Sequence, residues 1–244
     1  MHDLCKKEQK VDVEARLVGK TLYLSCSVEG LIGLDLNFQK EALETLEGVM
    51  LSGTRATLST DAKVDFLIVR VKDARLGSII TLLRYVPDIK GLLYMRYSRS
   101  DFEDRLVIET DGAQDPANTP ETLRDISLPE FMARLISSRL HRQITGNPLV
   151  SVFLRISQVR GRVEDGVLIL TLERAEQDAL PLATNEILEA AVAEVVVDVT
   201  GKFDPKGVLI EDVRLEESDG RLLWEKPLLA LQSRVKSAEK KKRE

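Results

Sequence analysis

Twice along the chain the spacing of apolar residues changes from two to three or four and back to two. Val11, Val13, Ala15 and Leu17 alternate, and Leu22, Leu24, Cys26 and Val28 alternate in the opposite phase. The phase breaks at "VGKT", so two strands joined by a turn at Gly19 are expected. Ala42, Leu43, Leu46, Val49 and Met50 then recur at three and four. That period predicts a helix from about Phe38, capped by Asn37 and ended by Gly53 and "STDAK". Three strands are expected next: the β-branched run "VDFLIVRV" (64–71), "SIITLLRYV" (78–86), and "LLYMRYS" (92–98) returning antiparallel through a "PDIKG" turn. A capping box, "SDFE", opens a short helix carrying Phe102 and Leu106.

The segment "TDGAQDPANTP" has nothing to bury and reads as a linker. Beyond it a second capping box, "SLPE", opens a helix to about Ile144. The first pattern then returns. Strands 149–157 and 167–173 flank an Asp165–Gly166 hairpin signal, and 184–194 is helical. Strands at 195–200, 208–216 and 221–225 follow, separated by "FDPKG" and "ESDG" turns, before a last helix from Pro227. The chain is therefore expected to be α+β: two modules of order ββαβββα, each a mostly antiparallel sheet with helices. The divisions are a tail at 1–10, a first module at 11–110, a linker at 111–127, a second module at 128–231 and a disordered basic tail at 232–244. In element order alone, each module resembles roadblock-, longin- and profilin-like modules. That resemblance implies an interaction platform, the use to which such folds are mostly put.

With "PDIK" as its loop, the 78–98 hairpin puts Ile80, Leu82, Leu93, Met95 and Tyr97 on a core face. Its other face carries Ile79, Thr81, Leu83, Tyr85, Leu92, Tyr94 and Arg96, too apolar for open water yet tipped with phenols and a guanidinium. Tyr and Arg among aliphatic residues are what binding hot spots are made of. Tyr85, Leu92, Tyr94 and Arg96 are the candidate interface; a seam between modules is the favoured use of this face, since the second module is available to cover it, and an external partner is the other.

A net charge of -5 argues against coating nucleic acid. No apolar run approaches the length of a membrane span. "MHDLCKKEQK" lacks the apolar core of a signal peptide, which places the chain in the cytoplasm as it stands. Yet Cys5 followed by a charged stretch resembles the start of a mature bacterial lipoprotein, and an upstream signal would make Cys5 a lipid anchor facing the periplasm. The 128–144 helix sets an apolar stripe against Arg134, Arg139, His141 and Arg142. Arg134, Arg139 and Arg142 could meet an anionic membrane or an acidic partner, or be a solvated face with cations near the helix C-terminus.

Enzyme constellations do not assemble. His141 has nothing local to orient it as a base, and it suits a surface position complementing the helix dipole. "GKT" at 19–21 lacks the upstream glycine of a phosphate loop and precedes a strand. Residues 198–204 lack the alternating ligands of a calcium loop. Cys26 reads as a small buried hydrophobe. Neither catalytic residue, metal nor cofactor is assigned. The leading expectation is a non-enzymatic protein-interaction or scaffold protein with a protein partner. Peripheral membrane contact would run through Cys5 or the basic helix. The alternatives are an envelope lipoprotein anchored at Cys5, and a small-ligand-binding or hydrolytic protein with a site between the modules.

Overall fold

A computed structural model of the chain describes residues 11–31, 39–111, 123–146, 155–174 and 182–243. The chain divides into two compact units, Met1–Ile126 and Ser127–Glu244. Both are α+β, with one five-stranded and one four-stranded sheet, mostly antiparallel.

In the first unit β1 (Glu14–Val18) and β2 (Thr21–Val28) form a hairpin, and Gly19 turns it at φ +56°. Helix α1 (Lys40–Ser59) crosses over to β3 (Phe66–Asp73), which pairs parallel with β2. Strand β4 (Ile79–Tyr85) returns antiparallel to β3. Strand β3 is central, and its buried run from Phe66 to Val69 fills both faces of the sheet. Ala42, Leu46 and Val49 of α1 join Leu24, Leu67, Val69, Ile80 and Leu82 in one core. The helix passes straight through Gly53. A Cβ there would stand 2.7 Å from Leu24 Cδ1 and 3.1 Å from Leu67 Cδ1, so the glycine brings the helix down onto the sheet rather than ending it. Gln39 precedes the helix without a capping side-chain bond; Asn37 and Phe38 lie outside the described residues.

The expected strand at 92–98 is not a strand. Val86–Leu93 is helix α2, with Pro87 in its first turn, where a missing N–H costs nothing. Val86 and Ile89 bury its inner side. Helix α3 (Arg99–Glu103) follows, capped by Ser98 rather than Ser100: the Ser98 hydroxyl accepts from Asp101 N at 3.0 Å. Phe102 and Leu106 pack on the core only in part. The true partner of β4 is β5 (Val107–Asp111), which aligns Val107 with Leu83 and Asp111 with Ile79. The sheet order is β1-β2-β3-β4-β5. Residues 123–126 are tied to the first hairpin, although they fall in the stretch expected as a linker. Asp125 accepts from Lys20 N and Thr21 Oγ1, both at 2.9 Å, and Tyr23 donates to Arg124 O at 2.6 Å.

In the second unit α4 (Leu128–Thr145) opens on Ser127, whose hydroxyl accepts from Glu130 N. Strand β6 (Ile156–Glu164) pairs with β7 (Val167–Arg174) around Asp165 and Gly166, at φ +48° and +81°. The first strand of this hairpin thus lies later than expected; residues 149–154 are outside the described residues. Helix α5 (Leu182–Phe203) crosses to β8 (Asp212–Glu217), parallel to β7, and β9 (Leu222–Pro227) closes the order β6-β7-β8-β9. "VVVDVT", expected as a strand, is the second half of α5. Leu188, Val192, Val195, Val196 and Val199 are buried at helical spacing, so packing overrides β propensity. Helix α6 (Leu228–Arg243) continues through the stretch expected to be a disordered tail.

Candidate functional site

Two of the four candidate interface residues come together on the segment joining α2 to α3. Helix α2 ends in a Schellman motif: Met95 N bonds to Leu92 O at 2.9 Å, and Arg96 N to Gly91 O at 2.8 Å. The motif needs a left-handed residue at its penultimate position, normally glycine. Here it is Met95, at φ +55°. Leu93, Tyr94 and Met95 are 62%, 72% and 92% exposed, so the strained residue gains no packing in return. Arg96 is exposed, and its guanidinium lies 5.8 Å from the Tyr94 ring. Leu92 is half-buried on α2. Tyr85 packs instead on Phe66, with ring centroids 5.3 Å apart, and burial and then the charges of Asp65 and Asp88 push its phenol up. The expected cross-strand cluster of Tyr85 with Tyr94 belonged to a hairpin that does not form.

Beneath this tip the side chains interlock. A Cβ on Gly91 would meet Tyr97 Cε2 at 2.0 Å, so the glycine makes room for the ring. Tyr97 in turn lies 4.0 Å from the Arg105 guanidinium. Arg105 is buried and bonds to the buried Asp88 at 2.9 Å. Arg84 donates to Phe102 O at 2.6 Å and stacks 3.8 Å from the Phe102 ring. Burial lowers its pKa to about 10, partly countered by Asp88 and Glu103, and it remains a cation at neutral pH. At the rim Lys90 is exposed, while Arg99 bonds to Glu103 at 3.0 Å.

No family model matches the chain, and no curated protein or solved structure matches it.

The other sequence candidates fall elsewhere. Arg139 is engaged within its own unit: it donates to Asp198 at 2.6 Å, and Lys202 bonds to the same carboxylate at 2.8 Å. Burial works against the Asp198 charge, but hydrogen bonds from Lys202 and Arg139 hold its carboxyl below the usual range. Arg142 is exposed and Arg134 half-buried, so the three arginines do not form one uniform open face. His141 is half-buried; burial lowers its pKa, and Nδ1 is buried with no hydrogen-bond partner among the described residues. The surface position expected for it is thus half-exposed. Asp204 caps a loop, accepting from Val208, Leu209 and Ile210 N. Cys26 is a buried cysteine of the first core. Cys5 lies outside the described residues. Among the described residues no group of three or more His, Cys, Asp or Glu could hold a metal ion.

Sequence reading missed Met95 as the centre of the tip. The signal was present: "KGLLYMRYS" must leave a helix, yet it offers no glycine after Gly91.

Proposed function

We propose that this is a non-enzymatic interaction protein that grips a protein partner through the α2–α3 tip. The observation that carries the reading is Met95, a long apolar side chain in a glycine-type backbone seat and 92% exposed. An L residue in that conformation costs about 1 kcal/mol, and nothing in the fold repays it. Leu93, Tyr94 and Met95 present an apolar anchor, and Arg96 beside Tyr94 supplies the residue types enriched at the centres of protein interfaces. The rim is of mixed charge, with Lys90, Arg96 and Arg99 near Glu103 and Asp104, which suits a protein surface better than a uniformly anionic bilayer. The buried Asp88–Arg105 pair, with the half-buried Tyr97 stacked on it, holds the tip ready and lowers the ordering cost on binding.

The test is site-specific photo-cross-linking, with a benzophenone amino acid in place of Tyr94, in an extract of the native cell. The expected result is a discrete protein adduct that disappears in the Met95→Ser, Arg96→Glu background while thermal stability is kept. An adduct to lipid alone, or adducts unchanged by those substitutions, would overturn the reading.

A further inference from the structure

The first unit also carries a cavity of about 570 Å³, which is within the size range of small-molecule sites. Its lining follows from strand register. The parallel pairing of β2 with β3 sets Ser25 beside Arg70 and Ser27 beside Lys72. The antiparallel pairing of β3 with β4 sets Ile79 beside Lys72. Alternation places these side chains on the sheet face opposite α1, because Leu24 and Leu67 point into the α1 core. All five residues line the cavity, and Leu123 adds an apolar wall, held there by the bond between Tyr23 and Arg124.

The polar side of this lining is weighted toward cations. Glu14 and Arg16 at the mouth neutralise one another, with Arg16 Nε 2.7 Å from Glu14 Oε1. Arg70 and Lys72 then face one further lining acid, Asp12. Lys72 makes no ion pair, and the Ser25 hydroxyl no hydrogen bond, among the described residues. A cation and a hydroxyl donor thus share a concavity with Ile79, Leu123 and the buried Tyr23. We infer that this cavity binds a small amphipathic anion, a carboxylate or phosphate monoester on an apolar body. Lys72, Arg70 and Ser25 take the head group, and Ile79 and Leu123 take the tail. Charge-assisted hydrogen bonds from Lys and Arg to such oxygens are the strong kind, while the aliphatic walls favour a tail over a free inorganic ion.

Calorimetric titration of the full chain with octanoate and with octyl phosphate tests this. Octyltrimethylammonium and inorganic phosphate are the controls. Saturable binding of at least one octyl anion is expected, with its head group naming the source. Lys72→Glu should weaken it at least tenfold, and because Lys72 is exposed the variant should fold, as circular dichroism would verify. Met95→Ser should leave the affinity unchanged, which separates this site from the tip. Equal binding of the octyl cation, equal binding of inorganic phosphate, no binding of either octyl anion, or an unaltered affinity in folded Lys72→Glu would each overturn the inference.

Discussion

The two units share a central plan, a hairpin, a crossover helix and a second hairpin with the inner strands parallel, but they cover their helices differently. Helix α1 lies on β2 and β3, touches α2, and buries Ala42, Leu46, Val49, Ser52, Gly53 and Thr57. Helix α5 packs between α4 and α6, and its buried residues spread over a broad arc from Val195 through Leu188 and Val196 to Ala193. Helix α1 keeps a clear helical period, with Glu44, Glu47 and Arg55 along an exposed side that also carries Leu51 and Leu58. The enclosed helix is apolar on several sides, and its period fades. The same plan therefore writes two different sequence signatures, and the neighbours of a helix decide which.

Among the described residues each unit also holds a buried ion pair. Arg105 meets Asp88 at 2.9 Å in the first, and Arg174 meets Glu217 at 2.7 Å in the second, all four side chains being less than a tenth exposed. Glu217 is additionally held by Arg221. Breaking such a pair leaves a buried charge uncompensated, so Asp88→Ala should cost about 3–5 kcal/mol in chemical denaturation. Glu217→Ala should cost a comparable amount, because Arg174 stays buried whereas Arg221 can turn to solvent. If either variant loses less than about 1 kcal/mol, the pair behaves as a surface pair and the parallel between the units fails.

Helix-to-sheet approach gives the next largest effect and contrasts the units directly. A Cβ at Gly161 would meet the backbone oxygen of Ala133 in α4 at 2.4 Å. Backbone cannot rotate away, so Gly161→Ala should destabilise by about 2–3 kcal/mol. At Gly53 the nearest atoms are the methyl ends of Leu24 and Leu67, which can shift. There the alanine also gains about 1 kcal/mol of helix propensity, so Gly53→Ala should fall within about 1 kcal/mol of the parent. Equal losses at the two positions would show that the two helices rest on their sheets in the same way.

Much of this architecture was legible because it is local. The Gly19 turn, the Ser127 cap and the Asp165–Gly166 hairpin each rest on a few adjacent residues whose chemistry admits one geometry. The errors share a cause. "PDIKG" is good turn chemistry and equally good first-turn helix chemistry; only the packing of Val86 and Ile89 decides. "VVVDVT" has strand propensity and helical spacing together, and the helices on either side of α5 decide. At the tip, the nearness of Tyr94 and Arg96 could be read directly, but the exposure of Met95 depended on α2 being a helix. The meeting of Ser25 with Lys72 and Arg70 was not legible at all. It depends on a parallel register set across a crossover of more than thirty residues.

A smaller effect sharpens the contrast in what the two units leave strained. Met95→Gly should raise stability by up to about 1 kcal/mol, the relieved left-handed backbone being partly offset by the greater freedom of glycine in the unfolded chain. In the second unit the left-handed Asp165 occupies a tight hairpin turn, where Asp is well tolerated. Asp165→Gly should therefore change stability less than Met95→Gly. Thermal melts of both variants would check the order, and a destabilised Met95→Gly would mean that the methionine is held by packing.

The smallest predicted effect concerns His141 in the second unit. Burial holds its imidazole below the usual range, and Nδ1 has no hydrogen-bond partner among the described residues. The folded state thus binds a proton less readily than the unfolded chain, whose histidine titrates near pH ~6.5. Above that pH both states are neutral and the residue contributes no pH dependence. As pH falls through about 6.5 the unfolded state takes up the proton first, so stability declines until the lower, folded pKa is passed. The group is only half-buried, so solvent screening keeps the decline small. Urea denaturation at pH 7.5 and 5.5 should show a greater loss for the parent than for His141→Gln, since the pH dependence of every other group is common to both. Equal losses would place His141 in contact with water in the folded protein and restore the solvated face that the sequence suggested.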